Sequence, residues 1–439
     1  MKVVHSIIDP TRGEGIRAEA VAACLFEALE AEGPRHRVLA LPPDGTRSRS
    51  RSGLILRLLY EYYGEALVDV MPALGTHVPM TSAELDEYYP GVPHKLFREH
   101  DWRRDVVQIG EVPSGRVREL SEGRLDFSWP AQLNRLIVEG RHDLIVSIGQ
   151  VVPHEVAGMA NHAKNLFVGT GGSEAIHRSH YLGAVYGMER MMGRTDTPVR
   201  ELFDYASREF ASSLPVLYAQ TVVGPVDRGC SDETAAASPD CGDDALRGLF
   251  VGRGREPFEE AARLSRALNV HCVGERVKKA IVLLPEREFR STWLGNKSVY
   301  RTRMVLADGG ELLVLAPGLS RFGEDATIDA LIRKWGYRGT EATLRAVGKD
   351  PELADNLSAA AHLIHGSSEG RFSITYCPGH LGRAEMESVG YRWAALAETA
   401  ARYDPDRLSP GWNVMEDGER VFFISNPAAG LWTAEPLPD

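Results

Sequence analysis

The sequence predicts an α/β protein built from two α/β domains with mainly parallel sheets. Three observations carry that prediction. Short apolar runs, bounded by Gly and Pro, alternate along the chain with helical patterns. Some of these runs, such as Asp143–Ile148 (DLIVSI), are largely apolar rather than alternating, as expected of strands buried on both faces of a parallel sheet. The chain has 439 residues, 43% hydrophobic and 25% charged, which is ordinary globular composition at a length that suits more than one core.

The elements follow in order. Lys2–Ile8 reads as a strand, Arg17–Glu32 as a helix and His36–Leu41 as a second strand. Arg47–Arg51 (RSRSR) is a basic run read as a solvated loop rather than a phosphate-binding patch. It precedes an apolar helix at Leu54–Tyr63, and the stretch of about 42–70 is expected to be an insertion. Further strands are expected at Asp143–Ile148, Leu166–Gly169, Val216–Val223, Ala280–Leu284 and Glu311–Ala316. Helices are expected at Phe258–Leu268, Thr327–Trp335, Glu341–Val347 and Glu352–Leu363. Asp227–Asp244 is small, acidic and Pro/Gly-containing, and so reads as an exposed loop. The chain is expected to divide into an N-terminal domain, 1–265, and a C-terminal domain, 272–439.

Composition excludes several classes. Against 61 Asp+Glu there are 50 Lys+Arg, a net charge of −11, which disfavours nucleic acid as the main partner. The five cysteines include no C-x-x-C pair, and their odd number in a large chain argues against a disulfide framework. The N-terminal apolar run is short and broken by His5, unlike a signal peptide, and no run of about 18 apolar residues could span a bilayer. A cytoplasmic protein is expected. Gly252-Arg253-Gly254 continues into Arg255-Glu256-Pro257, so it is not a dinucleotide fingerprint.

The histidines stand out by placement. His77 lies in LGTHVPM, and His154 closely follows the DLIVSI strand, where α/β folds place ligands and chemistry. His162, Lys164, His177 and His180 come next. Three chemistries suit this run: a metal site of imidazole ligands, acid–base work by paired histidines, or covalent attachment of a cofactor to Lys164. Asp9-Pro10-Thr11-Arg12 follows the first strand directly, with an Arg suited to a carboxylate or phosphate.

Together these residues resemble the nickel-dependent lactate racemase family, whose members carry a nickel-pincer nucleotide. The matching elements are D-x-T-R at Asp9–Arg12, G-x-H at Gly75–His77, and H-D at His100-Asp101-Trp102. P-H-x-x-A-G starts at Pro153, with Lys164 ten residues after its His and His180 sixteen beyond that. The resemblance implies an isomerase that inverts C2 of a 2-hydroxyacid in a cleft between the two domains. Lys164 would tether the cofactor, His180 would complete the nickel coordination, and His77 and His154 would be the acid–base pair. Arg12 would hold the substrate carboxylate, while Asp9 and Thr11 would help hold the cofactor. Because the C2 proton is weakly acidic, such a reaction avoids removing it: hydride leaves C2 as a His takes the hydroxyl proton.

Two spacings differ from the family. It has several tens of residues before D-x-T-R, where this chain has eight, and the 68 residues from Asp9 to His77 are more than expected. In the second domain Lys297, Arg301 or Arg303 would supply a substrate cation. His362 and His365–Arg371 read as a helix C-cap with a solvated turn, or as polar groups for a substrate larger than lactate, such as a sugar acid. The rival readings are a cofactor-less ligand-binding or sensor homologue and a divalent-metal hydrolase using His154, His162, His177 and His180.

Overall fold

The structure is a computed structural model that describes residues 4–11, 13–226 and 244–438. Arg12 lies outside the described residues, as does the polar segment before Asp244 with Cys230 and Cys241. Two compact units are present: residues 1–179 with 195–269, and residues 180–194 with 270–439.

The first unit is a six-stranded sheet. Its strands are β1 (His5–Ile8), β2 (Val38–Leu41), β3 (Leu67–Val70), β4 (Leu144–Gln150), β5 (Val216–Pro225) and β6 (Asp244–Gly252), in spatial order β1-β6-β5-β4-β2-β3. The four strands from β5 to β3 are parallel, and β6 runs antiparallel to both β5 and β1. Helices α1 (Ala18–Glu32) and α2 (Ser52–Tyr63) cover one face. Leu25, Leu29, Ile55, Leu56 and Leu59 are sealed there against Val146, Ile148 and Leu249. Alternate residues Val222 and Phe250 point to the other face, against Phe258 and Ala262 of a helix at Glu256–Asn269.

The residues around 42–70, expected as an insertion, are instead a β-α-β unit of this sheet. β2 pairs in parallel with β3 through α2, whose apolar side is core, so removing the segment would unpair an edge and uncover α1. Leu166–Gly169, expected as a strand, is a π-helical turn over Asn165–Gly169. Four apolar residues in a row do not separate a strand from a buried helical turn. A helix, α3 (Ser173–Tyr186), follows it and passes from the first unit into the residues grouped with the second.

The second unit has its own six-stranded sheet of Val277–Leu283, Leu306–Ala316, Ser373–Pro378, Arg392–Trp393, Gly411–Val414 and Arg420–Ile424. All neighbouring pairs are parallel except the last two strands. The helix expected at Glu352–Leu363 is two, Pro351–Asp355 and Leu357–His365. Asn356 stops the first and accepts the Ala359 amide at the start of the second. Among the described residues no helix is long and apolar enough to cross a membrane.

Candidate active site

In the first unit the chain leaves the carboxyl ends of β2, β3 and β4 into loops that are tied together, the edge where open α/β sheets bind ligands. The Ala73 amide donates to the Pro42 carbonyl (2.7 Å), joining the loops after β2 and β3. Gly75, held at φ +62° where a side chain would be strained, donates to Gly169 O (2.9 Å). The Asn165 side chain donates to Ser147 Oγ (2.9 Å) and the Leu41 carbonyl (3.2 Å). The turn that begins after Lys164 is thereby fastened across the ends of β2 and β4.

The loop after β2 carries Asp44, which is buried and accepts from His77 Nδ1 at 2.6 Å and from Thr46 Oγ1 at 2.6 Å. Burial pushes the Asp44 carboxyl up. The His77 bond and charge, the Thr46 bond and the Arg47 charge outweigh it, so its pKa lies below the usual carboxylate value. With Nδ1–H directed at Asp44, neutral His77 keeps its lone pair on Nε2, and the ring is half-exposed.

His154 is arranged the other way. It is buried in a two-residue bridge with Gly158–Met159, and its Nδ1 accepts the Val156 amide at 3.1 Å. A backbone N–H can only donate, so the neutral ring carries its proton on Nε2. The two histidines thus offer one Nε2 lone pair and one Nε2–H donor.

Lys164 is partly buried just before the turn. Burial, then Arg47, push its ammonium down to about 8 from 10.5, with Arg200 acting the same way and Glu155 and Asp44 opposing. These causes bring Asp44 and Arg47 after β2, and Glu155 after β4, into range of one amine. Arg200 is fully buried and held down to about 10 by burial. It donates to the carbonyls of Met159 (2.6 Å) and Asn161 (3.2 Å) and lies 4.3 Å over Phe258. It clamps the backbone that delivers Lys164, and nothing in the sequence reading marked it.

Other predicted residues do different work. His162 donates through Nε2 to Gly254 O (2.9 Å) and packs 4.2 Å from Tyr218 and 5.2 Å from Phe258. Burial, with the Arg200 and Arg255 charges, pushes its pKa down to about 3, so it is a neutral core histidine. His100 donates to Gly171 O (3.1 Å) and accepts from Asn134 Nδ2 (2.9 Å). It holds a glycine at which a Cβ would meet Phe167 O at 2.0 Å. His177 packs 6.3 Å from Trp102, and His180 lies one helical turn on, among the residues grouped with the second unit. Among the described residues no three His, Cys, Asp or Glu side chains are placed to hold a metal ion.

Asp9 and Thr11 are not brought to His77. Asp9 accepts from Thr11 N (3.0 Å) and Oγ1 (2.5 Å), and from the buried Arg247 (3.1 Å), whose guanidinium also donates to Gly13 O and Pro225 O. The Thr11 hydroxyl bond leads in holding its carboxyl below the usual value. β1 and β2 are four strand steps apart, so this motif lies about 19 Å across the sheet from Asp44. The residues beside His77 are a second D-x-T-R, Asp44-Gly45-Thr46-Arg47, which the sequence reading passed over.

In the second unit Arg303 is buried and engaged with Glu189 (2.9 Å) and Ser367 O (3.2 Å). Arg301 is buried, and Lys297 is partly buried 5.6 Å from the Phe289 ring. His362 meets Tyr337 Oη (3.0 Å), Glu369 accepts from Thr340 N (2.9 Å), and Arg371 bonds Glu189 (2.6 Å) and Asp308 (2.8 Å). These polar groups of the 362–371 segment serve the second unit's own structure.

Residues 25–192 match the family model of the lactate racemase N-terminal domain. Over this span the chain is similar to a lactate racemase N-terminal domain. The span takes in Asp44–Arg47, His77, His154, Lys164 and His180, and starts after Asp9–Arg12. The lactate racemase resemblance seen in the sequence is thereby borne out. No curated protein matches the chain in sequence. The chain is similar in structure to a protein from Thermotoga maritima, with a TM-score of 0.77, 22% identity and coverage of 96% of this chain and 99% of that one. It is also similar to the lactate racemase apoprotein from Thermoanaerobacterium thermosaccharolyticum, with a TM-score of 0.68, 16% identity and coverage of 97% and 96%. These likenesses show that the fold of the racemase-type domain and of the rest of the chain is shared.

Proposed function

We propose that the chain is a 2-hydroxyacid racemase or epimerase that works with a nickel-pincer nucleotide. The observation that carries this reading is the pair of opposite tautomers, His77 held by Asp44 and His154 held by the Val156 amide. Interconverting two configurations at C2 needs a group that takes the hydroxyl proton and gives it back, and a donor that holds the C2 oxygen, and these two rings offer an Nε2 lone pair and an Nε2–H for the two tasks.

The residues present fit the cofactor. Lys164 has an amine pushed down to about 8, suited to forming a covalent bond, and Arg47 offers a cation beside it. The protein supplies no three-ligand metal cluster among the described residues, so a metal would arrive held mainly by the organic group, with His180 as its protein ligand. When bound, that group would supply the hydride acceptor.

The chain's own part is then as follows. Arg47 takes the substrate carboxylate in place of Arg12, and Asp44 and Thr46 take the places of Asp9 and Thr11. This assignment leaves 43 residues before the motif and 77 − 44 = 33 between Asp44 and His77, removing both departures from the family's spacing. His77 Nε2 accepts the hydroxyl proton while Asp44 holds the ring and favours the resulting imidazolium. His154 Nε2–H donates a hydrogen bond to the same oxygen, and the proton held by His77 is returned when C2 is re-formed in the other configuration.

The test uses full-length protein co-expressed with the cofactor's biosynthetic enzymes, and substrates from lactate through malate to aldonates. We expect a mass adduct lost in Lys164→Ala, nickel in the protein, and interconversion lost in Arg47→Gln. An adduct-free, nickel-free protein that binds a hydroxyacid without converting it would replace this reading with a sensor. Activity on lactate alone would remove the sugar-acid substrate.

A further inference from the structure

The second unit contains a cavity of about 330 Å³ lined by none of the residues assigned above. It lies between the helix Ala326–Trp335 and the helix Thr340–Val347. Small residues keep it open. Ala342 and Ala346 stand one turn apart on the second helix, and Gly336 ends the first at φ +65°. A Cβ at Gly336 would come within 2.8 Å of Val389 O.

Four of its nine lining residues are cations, Lys334, Arg338, Arg345 and Lys349, and none is a carboxylate. Lys334 pairs with Asp350 (2.8 Å), which also accepts from Trp335 Nε1 (2.7 Å). Arg338 donates to Ser388 O (2.9 Å). Arg345, in the last turn of the second helix, and Lys349, just past its end, are both exposed. A helix dipole favours Arg345 in its last turn. The same holds for Lys334 in the last turn of the first helix, but a dipole gives no reason for Arg338, from the turn between the helices, to face the same hollow. Such a concentration of positive charge also opposes the net −11 of the chain.

We propose that this hollow binds a small phosphorylated anion bearing at least two phosphate charges, with Trp335 as one wall. Clustered, partly neutralised cations around a concave surface suit multivalent phosphate. The volume falls in the lower part of the small-ligand range of about 300–1,000 Å³, and a nucleic-acid strand would need a continuous basic track instead. The site is independent of the racemase reading.

The test uses full-length protein at low ionic strength, with pyrophosphate and ATP as separate probes in calorimetry and tryptophan fluorescence. We expect saturable one-to-one binding tighter than about 100 µM for either probe. The Arg345→Ser/Lys349→Ser double variant should weaken it at least tenfold with an unchanged thermal melt, and Trp335→Phe should remove the fluorescence response. Absence of saturation by about 1 mM would overturn the proposal. So would undiminished binding in the double variant, sulfate binding as tight as pyrophosphate, or an RNA oligonucleotide bound more tightly than ATP.

Discussion

Replacing Arg47 by Gln should raise the pKa of Lys164, and replacing Glu155 by Gln should lower it. The starting point is an amine near 8 instead of 10.5. Its neutral fraction at pH 7 is then roughly 300 times that of an ordinary lysine, and the shift corresponds to about 3 kcal/mol in favour of the neutral form. Between pH 8 and 10.5 the unfolded chain binds the proton that the folded chain has released. Stability therefore rises with pH across that window, and holding the ammonium in the fold costs about 3 kcal/mol below it. Competitive acetylation, with each lysine followed by peptide mass spectrometry from pH 6 to 11, reads the midpoint directly. Arg47 is the largest charge lowering the value and Glu155 the largest opposing it, so the variants should move the midpoint in opposite directions. Lys164→Met should raise the melting temperature of the cofactor-free chain below pH 8. A wild-type midpoint near 10.5, or a downward move in Arg47→Gln, would refute the placement of these charges around one amine.

Two further outcomes follow from the same edge of the sheet. Asp44→Asn should lower kcat of the loaded enzyme by roughly 10²-fold or more while the mass adduct on Lys164 is kept, and an unchanged kcat would sink the orienting role. Arg200→Met leaves the Met159 and Asn161 carbonyls without donors and removes the cation over Phe258. It should cost about 2–4 kcal/mol, read as a lower melting temperature, and a wild-type melt would show that the clamp is dispensable.

Much of the sheet was legible because buried parallel strands write themselves as apolar runs. Val216–Pro225 and Leu306–Ala316 contain the strands expected there, and Leu144–Gln150 overlaps the one expected at Asp143–Ile148. What failed to show was short or conditional. β3 is four residues long and carries Asp69, which His142 meets at 2.9 Å, so no periodicity announces it. His162 looked like its neighbours in sequence, but its ring is closed in by Tyr218 and Phe258, which lie far along the chain. Arg200 offered no motif at all, since its role depends on carbonyls about forty residues away.

The two D-x-T-R motifs show where sequence chemistry runs out. Both follow a strand of the same sheet, and in both the threonine hydroxyl donates to the aspartate, at 2.5 Å in one and 2.6 Å in the other. Both use the threonine hydroxyl to occupy one carboxylate oxygen. Their difference is what the rest of the fold presents to the second carboxylate oxygen. At the outer strand β1 it is a buried arginine, which turns Asp9 into a structural counter-ion. At β2, between β4 and β3, it is an imidazole on the neighbouring loop, which turns Asp44 into the residue that sets a tautomer. A central parallel strand has neighbours on both sides whose carboxyl ends bring loops to its own, whereas β1 has only β6 beside it, running the other way. On the proposed function, position in the sheet therefore decides which copy is placed to do chemistry. The segment from 42 to 70 had to be part of the sheet, and not an insertion, for Asp44 to be that copy.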